Sequence, residues 1–239
     1  MPGLKKAKYQ AARVVCMNNV KQQMLIFFLY ASDNNGKFPT HDCRYPWRVR
    51  DTDWASDFCP WQAYRKSYME NSQILICPAI RKFGSTFAST SCNGTVDWQG
   101  RCAGGWDGLY PDKSKPVSSI GIAYSWYANY TPTHGNHYKN PKLVKVTYYN
   151  NEPNWPKKMQ QCSQRHTLVT HIIVDNTGYG LYDYSHGGAG AFEGWKFDKS
   201  KDIDNPVGCG DGHVYFRPKS KILLRASYTN GWGFSRLYY

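Results

Sequence analysis

The sequence predicts an α+β fold in which one long amino-terminal helix packs on an antiparallel sheet with long, disulfide-pinned loops. Three features of the sequence lead there. From Leu4 to Ala31 no Gly or Pro interrupts a helical repeat of apolar residues. The second half of the chain holds five β-branched and aromatic runs separated by turn-forming clusters, and no helix of similar quality intervenes. Aromatics make up 16% of the residues, with 19 Tyr and 9 Trp, which suits the pleated faces of a twisted sheet. At 239 residues the chain can bury a sizeable core. It reads as one domain, with a spine helix over residues 1–36 and a β-rich head over 37–239.

Along the helix, Cys16, Val20, Met24, Phe27 and Ala31 recur at spacings of three and four and define one face. The cluster "SDNNG" ends it, with Gly36 available for a left-handed backbone position and Pro39 preventing resumption. The stretch "MLIFFLYA" (24–31) is apolar all round, so it is expected to be covered on more than one side. A Trp- and Cys-rich region (40–73) follows, with a short helix expected around "WQAYRKSYME" (61–70). "QILICP" (73–78) reads as a short strand, and residues 79–118 as a surface excursion pinned by a disulfide. Strands are expected at 120–128, 143–149, 168–175, 213–218 and 221–227.

The formal charge of +13 raises the question of a nucleic-acid partner. The basic runs "KKAK", "PKK" and "RPKSK" are short and scattered, so a solvated face accounts for them better. The eight cysteines contain no CxxC pair, which argues against a zinc ribbon and for an exported chain with disulfides. Cys43 with Cys59 and Cys92 with Cys102 close short loops and are the first pairings to test. No run approaches the ~20 apolar residues of a membrane span, and no signal-peptide core is present.

Chemistry is weakly signalled. There is no GxSxG elbow, no phosphate loop and no locally activated Cys, so a non-catalytic role is expected. Asp198, Asp202, Asp204 and Asn205 supply oxygens that calcium would accept. The segment lacks the EF-hand Gly and Glu, and Lys199 and Lys201 are interleaved with it. His134 and His137 read as a solvent-facing pair. His166 and His171 fall on opposite strand faces and form no site by themselves. Asp211 and Gly212 support a hairpin turn that His213 leaves; a lock or cation role for Asp211 is the alternative. Trp98, Trp106, Trp155, Trp195 and Trp232 could stack on sugar rings or unpaired bases, which gives a second reading as an exported carbohydrate- or DNA-binding module.

The order "ARVVCMNNVKQQMLIFFLYASDNNGKFP", "ILICP", "AYSWYAN" and "GDGHVYF" resembles the pilin-like proteins of the type II secretion pseudopilin class, in the large bacterial group with a carboxy-terminal His and Asp-Gly signature. The similarity spans most of the chain and is strongest at 12–39 and 209–216. It implies a pilin-like fold and a structural subunit of a type II secretion or type IV pilus-like assembly. The partners it implies are other pilin-like subunits and the secretion or pilus machinery. It implies export, to an inner-membrane-anchored, periplasmic or cell-surface location. Val20, Met24, Phe27, Phe28 and Ala31 would serve helix packing and assembly, and His186, Asp211, Gly212 and His213 would be the signature. The resemblance also adds weight to calcium in a late loop. Two departures stand out. The chain opens at "MPGLKKAK", where the family's membrane-spanning apolar half would end, and that implies a missing anchor, with Lys5, Lys6, Lys8 and Arg13 near a membrane or a neighbouring subunit. The gap from His186 to Asp211 is long, and an insertion at 196–208 would explain it.

Overall fold

Helix α1 runs from Pro2 to Asp33. It stops for a local reason: Asn35 and Gly36 turn left-handed at φ 55° and 75°, and the Gly36 N–H donates back to the Ala31 carbonyl at 2.7 Å. The positive φ is what calls for glycine there, since the nearest neighbour of a Cβ would be the movable amide end of the exposed Gln160. The helix end is tied to the head by Met159 N–H to the Gly36 carbonyl and Phe38 N–H to the Lys157 carbonyl. The computed structural model describes residues 2–43, 46, 48–49, 67–69, 72–75, 77, 120–121, 124–134, 142–171, 173–176, 180–183, 192–193, 196–197, 204–229 and 234–239.

In chain order the strands are β1 (His41–Cys43), β2 (Arg48–Val49), β3 (Ile120–Gly121), β4 (Tyr124–Trp126), β5 (Tyr130–His134), β6 (Lys142–Leu143), β7 (Thr147–Tyr148) and β8 (Thr167–His171). They continue as β9 (Ile173–Asn176), β10 (Gly180–Asp183), β11 (Phe192–Glu193), β12 (Lys196–Phe197), β13 (Asp204–Cys209), β14 (Val214–Pro218), β15 (Leu224–Thr229) and β16 (Phe234–Tyr238). A four-stranded antiparallel sheet, β14-β13-β8-β4, lies under the helix, and a five-stranded one, β10-β9-β16-β15-β7, stands beside it. Strand β9 begins two positions after β8 ends, and the two strands belong to different sheets. The smaller β1-β5-β6 sheet departs from the antiparallel expectation, since β1 and β5 run parallel.

The inner face of α1 is the one the periodicity marks: Cys16, Val20, Met24, Phe27 and Ala31 are each at most 1% exposed. Phe27 meets Trp126 of β4 edge-on at 5.4 Å. Gly208 of β13 lets the helix come close, because a Cβ there would lie 2.7 Å from Met24 Cγ and 3.0 Å from Val20 Cγ1. Each buried Val, Met or Phe contributes roughly 1.5–3 kcal/mol, so this face is the main attachment of helix to head.

Beyond it sits an aromatic layer. Tyr127 stacks on Trp155 at 5.1 Å and packs on Tyr239 at 4.8 Å, and the Tyr130 and Tyr228 hydroxyls share a hydrogen bond at 2.9 Å. Glu152 is buried beneath this layer and accepts a hydrogen bond from the Tyr239 hydroxyl at 3.2 Å, while Trp155 Nε1–H donates to the same hydroxyl at 3.1 Å. Burial raises the Glu152 carboxyl above its ordinary range, against the opposing pull of Arg225 and Arg217.

One expectation is corrected. "QILICP" does not begin as a strand: Ser72–Leu75 is a 3-10 turn whose Ile74 carbonyl bonds Gln23 of α1, so a side chain of the helix takes the place of a neighbouring strand. The stretch read as an insertion ends in β13, which pairs with β14 on one side and β8 on the other. In "MLIFFLYA", expected to be covered on more than one side, Met24, Ile26, Phe27 and Ala31 are buried and Phe28 and Tyr30 partly so, while Leu25 and Leu29 face outward. The expected loop at 79–118 lies outside the described residues, as do residues 61–66 and 70 of the expected short helix.

Gly208→Ala should cost about 1–3 kcal/mol in urea unfolding by overpacking α1. Combined with Met24→Ala, the loss should fall short of the sum of the two, because the shorter side chain relieves the clash. A raised Glu152 pKa means that its contribution to stability is complete below about 4.5 and is lost as pH rises through the folded-state value. Thermal melts of Glu152→Gln should therefore lack that loss, and should gain on wild type progressively from acid to neutral pH.

Candidate functional site

Two features of α1 stand out, one buried and one exposed. The buried one is a knot of polar side chains between helix, sheet and the segment after the 3-10 turn. Cys16 projects from the inner face of α1, His171 ends β8, and Cys77 follows Ser72–Leu75; all three are at most 1% exposed. Cys16 Sγ lies 2.8 Å from His171 Nε2 and 3.1 Å from the Tyr124 hydroxyl. The two sulfurs and a ring nitrogen of His171 all fall within 4.8 Å of one another.

The sheet register explains this convergence. Tyr124 of β4 is the cross-strand partner of His171 on β8, so both side chains rise from the same face toward the helix, with rings 5.0 Å apart. The His171 N–H donates to Asn205 Oδ1 of β13 at 3.0 Å, and the Thr170 hydroxyl donates to the same oxygen at 2.7 Å. On the other side, Gln23 of α1 accepts from Trp126 Nε1–H at 2.6 Å and donates to the Ile74 carbonyl at 2.7 Å, which holds the turn leading to Cys77 against the helix. One helical turn before Cys16, Arg13 pairs with Asp204 of β13 and lies 4.4 Å above the Phe216 ring.

Burial pushes the Cys16 thiol well above its ordinary value, and the adjacent Cys77 adds to the shift. Tyr124 is raised likewise, first by burial and then by Cys16. These groups are neutral near pH 7, and a buried, protonated thiol is a poor nucleophile. The arrangement does not suit Cys–His nucleophilic catalysis. It does offer two soft sulfur donors and one imidazole to a single point, a donor set for zinc and not for calcium.

The exposed feature is the opposite side of the same helix. Leu4 (53%), Val14 (57%), Val15 (48%), Leu25 (53%) and Leu29 (56%) are large apolar side chains open to solvent. Ala7, Ala11, Asn18 and Gln22 are exposed between them, so the row advances by three and four residues along the length of α1.

Of the residues singled out in the sequence, Val20, Met24, Phe27 and Ala31 are sealed against the chain's own sheet, and Phe28 is partly buried beside Phe38. In the expected calcium set, Asp204 is paired with Arg13, Asn205 spends its carbonyl oxygen inside the sheet, and Asp198 and Asp202 lie outside the described residues. His186 lies outside them too. Asp211, Gly212 and His213 form the β13–β14 turn: Gly212 has φ 90°, and Asp211 Oδ1 accepts from the His213 N–H at 3.2 Å and pairs with its ring. Cys43 ends β1, whereas Cys59, Cys92 and Cys102 are outside the described residues. No disulfide is formed among the described residues; Cys16, Cys77, Cys162 and Cys209 carry thiols. Trp155, offered as a stacking platform, is a core residue, and Trp98, Trp106, Trp195 and Trp232 are not described.

Sequence reasoning missed the Cys16–Cys77–His171 grouping, because Cys16 and His171 stand 155 residues apart and no local spacing links them. The one available signal was the place of Cys16 on the buried helical face. Comparison with family models, curated proteins and solved structures gave no match to this chain. No helix among the described residues is long and apolar enough to cross a membrane.

In the folded protein, iodoacetamide should leave Cys16 unmodified at neutral pH and label it after denaturation. Peptide mass mapping that finds Cys16 labelled at the same rate before and after unfolding would contradict the sealed packing of α1 on β8.

Proposed function

We propose that this chain is a non-catalytic, pilin-like structural subunit that associates with further copies through the outer face of α1. The observation that carries the reading is the solvent-facing apolar row from Leu4 to Leu29, on the side of the helix opposite the one held by the sheet. A helix covered on one side only is expected to turn polar residues outward. Here both sides are apolar, and the outer spacing of three and four is that of a helix–helix seam. The partner favoured is a second copy, because a row along a 32-residue helix held by its head can meet its own equivalent lengthwise. Asn18 and Gln22 in mid-row would set the register.

The sequence resemblance to the pseudopilin class supports the same role, as does the attachment of the helix to the four-stranded sheet. On this reading the subunit works in an exported assembly, alongside other pilin-like subunits and a secretion or pilus machine. Its head displays loops, and its helix builds the fibre core. Exposed Lys8 and Lys21 flank the row and keep isolated copies apart at low ionic strength.

A benzophenone amino acid in place of Leu25 or Leu29 should crosslink two copies on irradiation, increasingly with protein concentration and salt. The same probe at Lys37 should not. Equal dimer yields at all three positions, or none at any, would overturn the assignment, and Leu25→Glu with Leu29→Glu should abolish the concentration dependence in sedimentation equilibrium.

A further inference from the structure

We propose that Cys16, Cys77 and His171 form a zinc site that fastens α1 to the head. The inference stands apart from the assembly role, since it concerns the inner face of the helix and one chain alone.

Geometry is the first support. Tetrahedral zinc with Zn–S near 2.3 Å and Zn–N near 2.0 Å places its donors about 3.5–3.8 Å apart. The three donor atoms here already lie within 4.8 Å of one another, so one ion fits with small side-chain rotations. The hydrogen-bonded contact between Cys16 Sγ and His171 Nε2, 2.8 Å, is the one that has to open, by rotation about the side-chain torsions.

Charge is the second support. A lone thiolate in a pocket of at most 1% exposure would be strongly disfavoured. Two thiolates and a neutral imidazole around Zn²⁺ sum to zero, so the filled site carries no net charge into the interior. Sulfur and imidazole donors also select zinc over calcium or magnesium, which take oxygen.

The surroundings are the third. The Tyr124 hydroxyl lies 3.1 Å from Cys16 Sγ and can donate to a bound thiolate. Asn19, one turn along α1 from Cys16, hydrogen-bonds Tyr124 in turn, and Asn205 fixes the His171 backbone. Bound zinc would join the helix, the segment after Ser72–Leu75 and the central sheet at one point, closing chain segments far apart in sequence.

The test uses the full chain, reduced and freed of metal, titrated with Zn²⁺ against a chromophoric chelator and with Co²⁺ as a spectroscopic stand-in. The expected results are one tight equivalent of zinc, a tetrahedral cobalt spectrum with thiolate charge-transfer bands, and a zinc-dependent rise in the melting temperature. Cys77→Ser and His171→Gln should each lose that equivalent, and Tyr124→Phe should weaken it about tenfold, the effect of an outer partner. A variant with Ser at positions 43, 59, 92 and 102 should keep it. X-ray absorption on the zinc-loaded wild type needs no variant and should count two sulfurs. The proposal is overturned if the reduced chain takes up no stoichiometric zinc, if absorption shows other than two sulfurs, or if Cys77→Ser and His171→Gln bind as wild type does. A Cys16–Cys77 disulfide that persists in protein isolated without reductant would likewise overturn it.

Discussion

The close seat of α1 on β13 is the constraint on which the rest of the molecule depends. Gly208 removes the side chain that would otherwise hold the helix away from the sheet, and Val20 and Met24 fill the space it leaves. With the helix at that distance, Phe27 reaches Trp126 and Cys16 reaches the end of β8. A helix set further out would lose those contacts together, because dispersion and hydrogen bonding both fall away steeply over fractions of an ångström.

That seat also accounts for the polar side chains sealed inside. Asn205, Thr170, His171, Gln23 and Tyr124 would each be costly to bury alone. They are affordable as a connected set: Asn205 accepts twice from β8, and Gln23 accepts from β4 while donating to the turn before Cys77. Connected in this way, though Asn205 Nδ2 has no hydrogen-bond partner among the described residues, the network specifies one register of helix on sheet, where a purely apolar interface would permit sliding. The Arg13–Asp204 pair fixes the same register one turn earlier, at a partly exposed position where its main value is orientation.

The helix is therefore two-sided, and its sides serve different ends. The inner side is specific, mixed in polarity and complete within one chain. The outer side is apolar, repetitive and unmatched by the described part of its own chain, and it is there that the proposed structural role would find its physical basis.

Much of the helix was legible in advance. Its inner face, its stop at the "SDNNG" cluster and the left-handed Gly36 follow from local rules of periodicity and capping, which act within a few residues. Strands β8, β14 and β15 were visible for the same reason. Strand β13 was not, because "DNPVGC" carries Asn, Pro and Gly, poor strand formers that are tolerated where a helix presses close and an Asn side chain is needed inside. Nor was the outward turn of Leu25 and Leu29, since a fully apolar stretch has no periodicity from which to read a face. The meeting of Cys16, Cys77 and His171 lay furthest beyond the sequence. Each residue has an ordinary local setting, and only strand pairing, together with the approach angle of the helix, brings their donor atoms to one point. The sequence by itself determined where the chain is helical and which helical face is buried, because those depend on neighbours a turn away. Tertiary structure alone decided what that face meets, because such contacts depend on distances between segments that the order of residues does not encode locally.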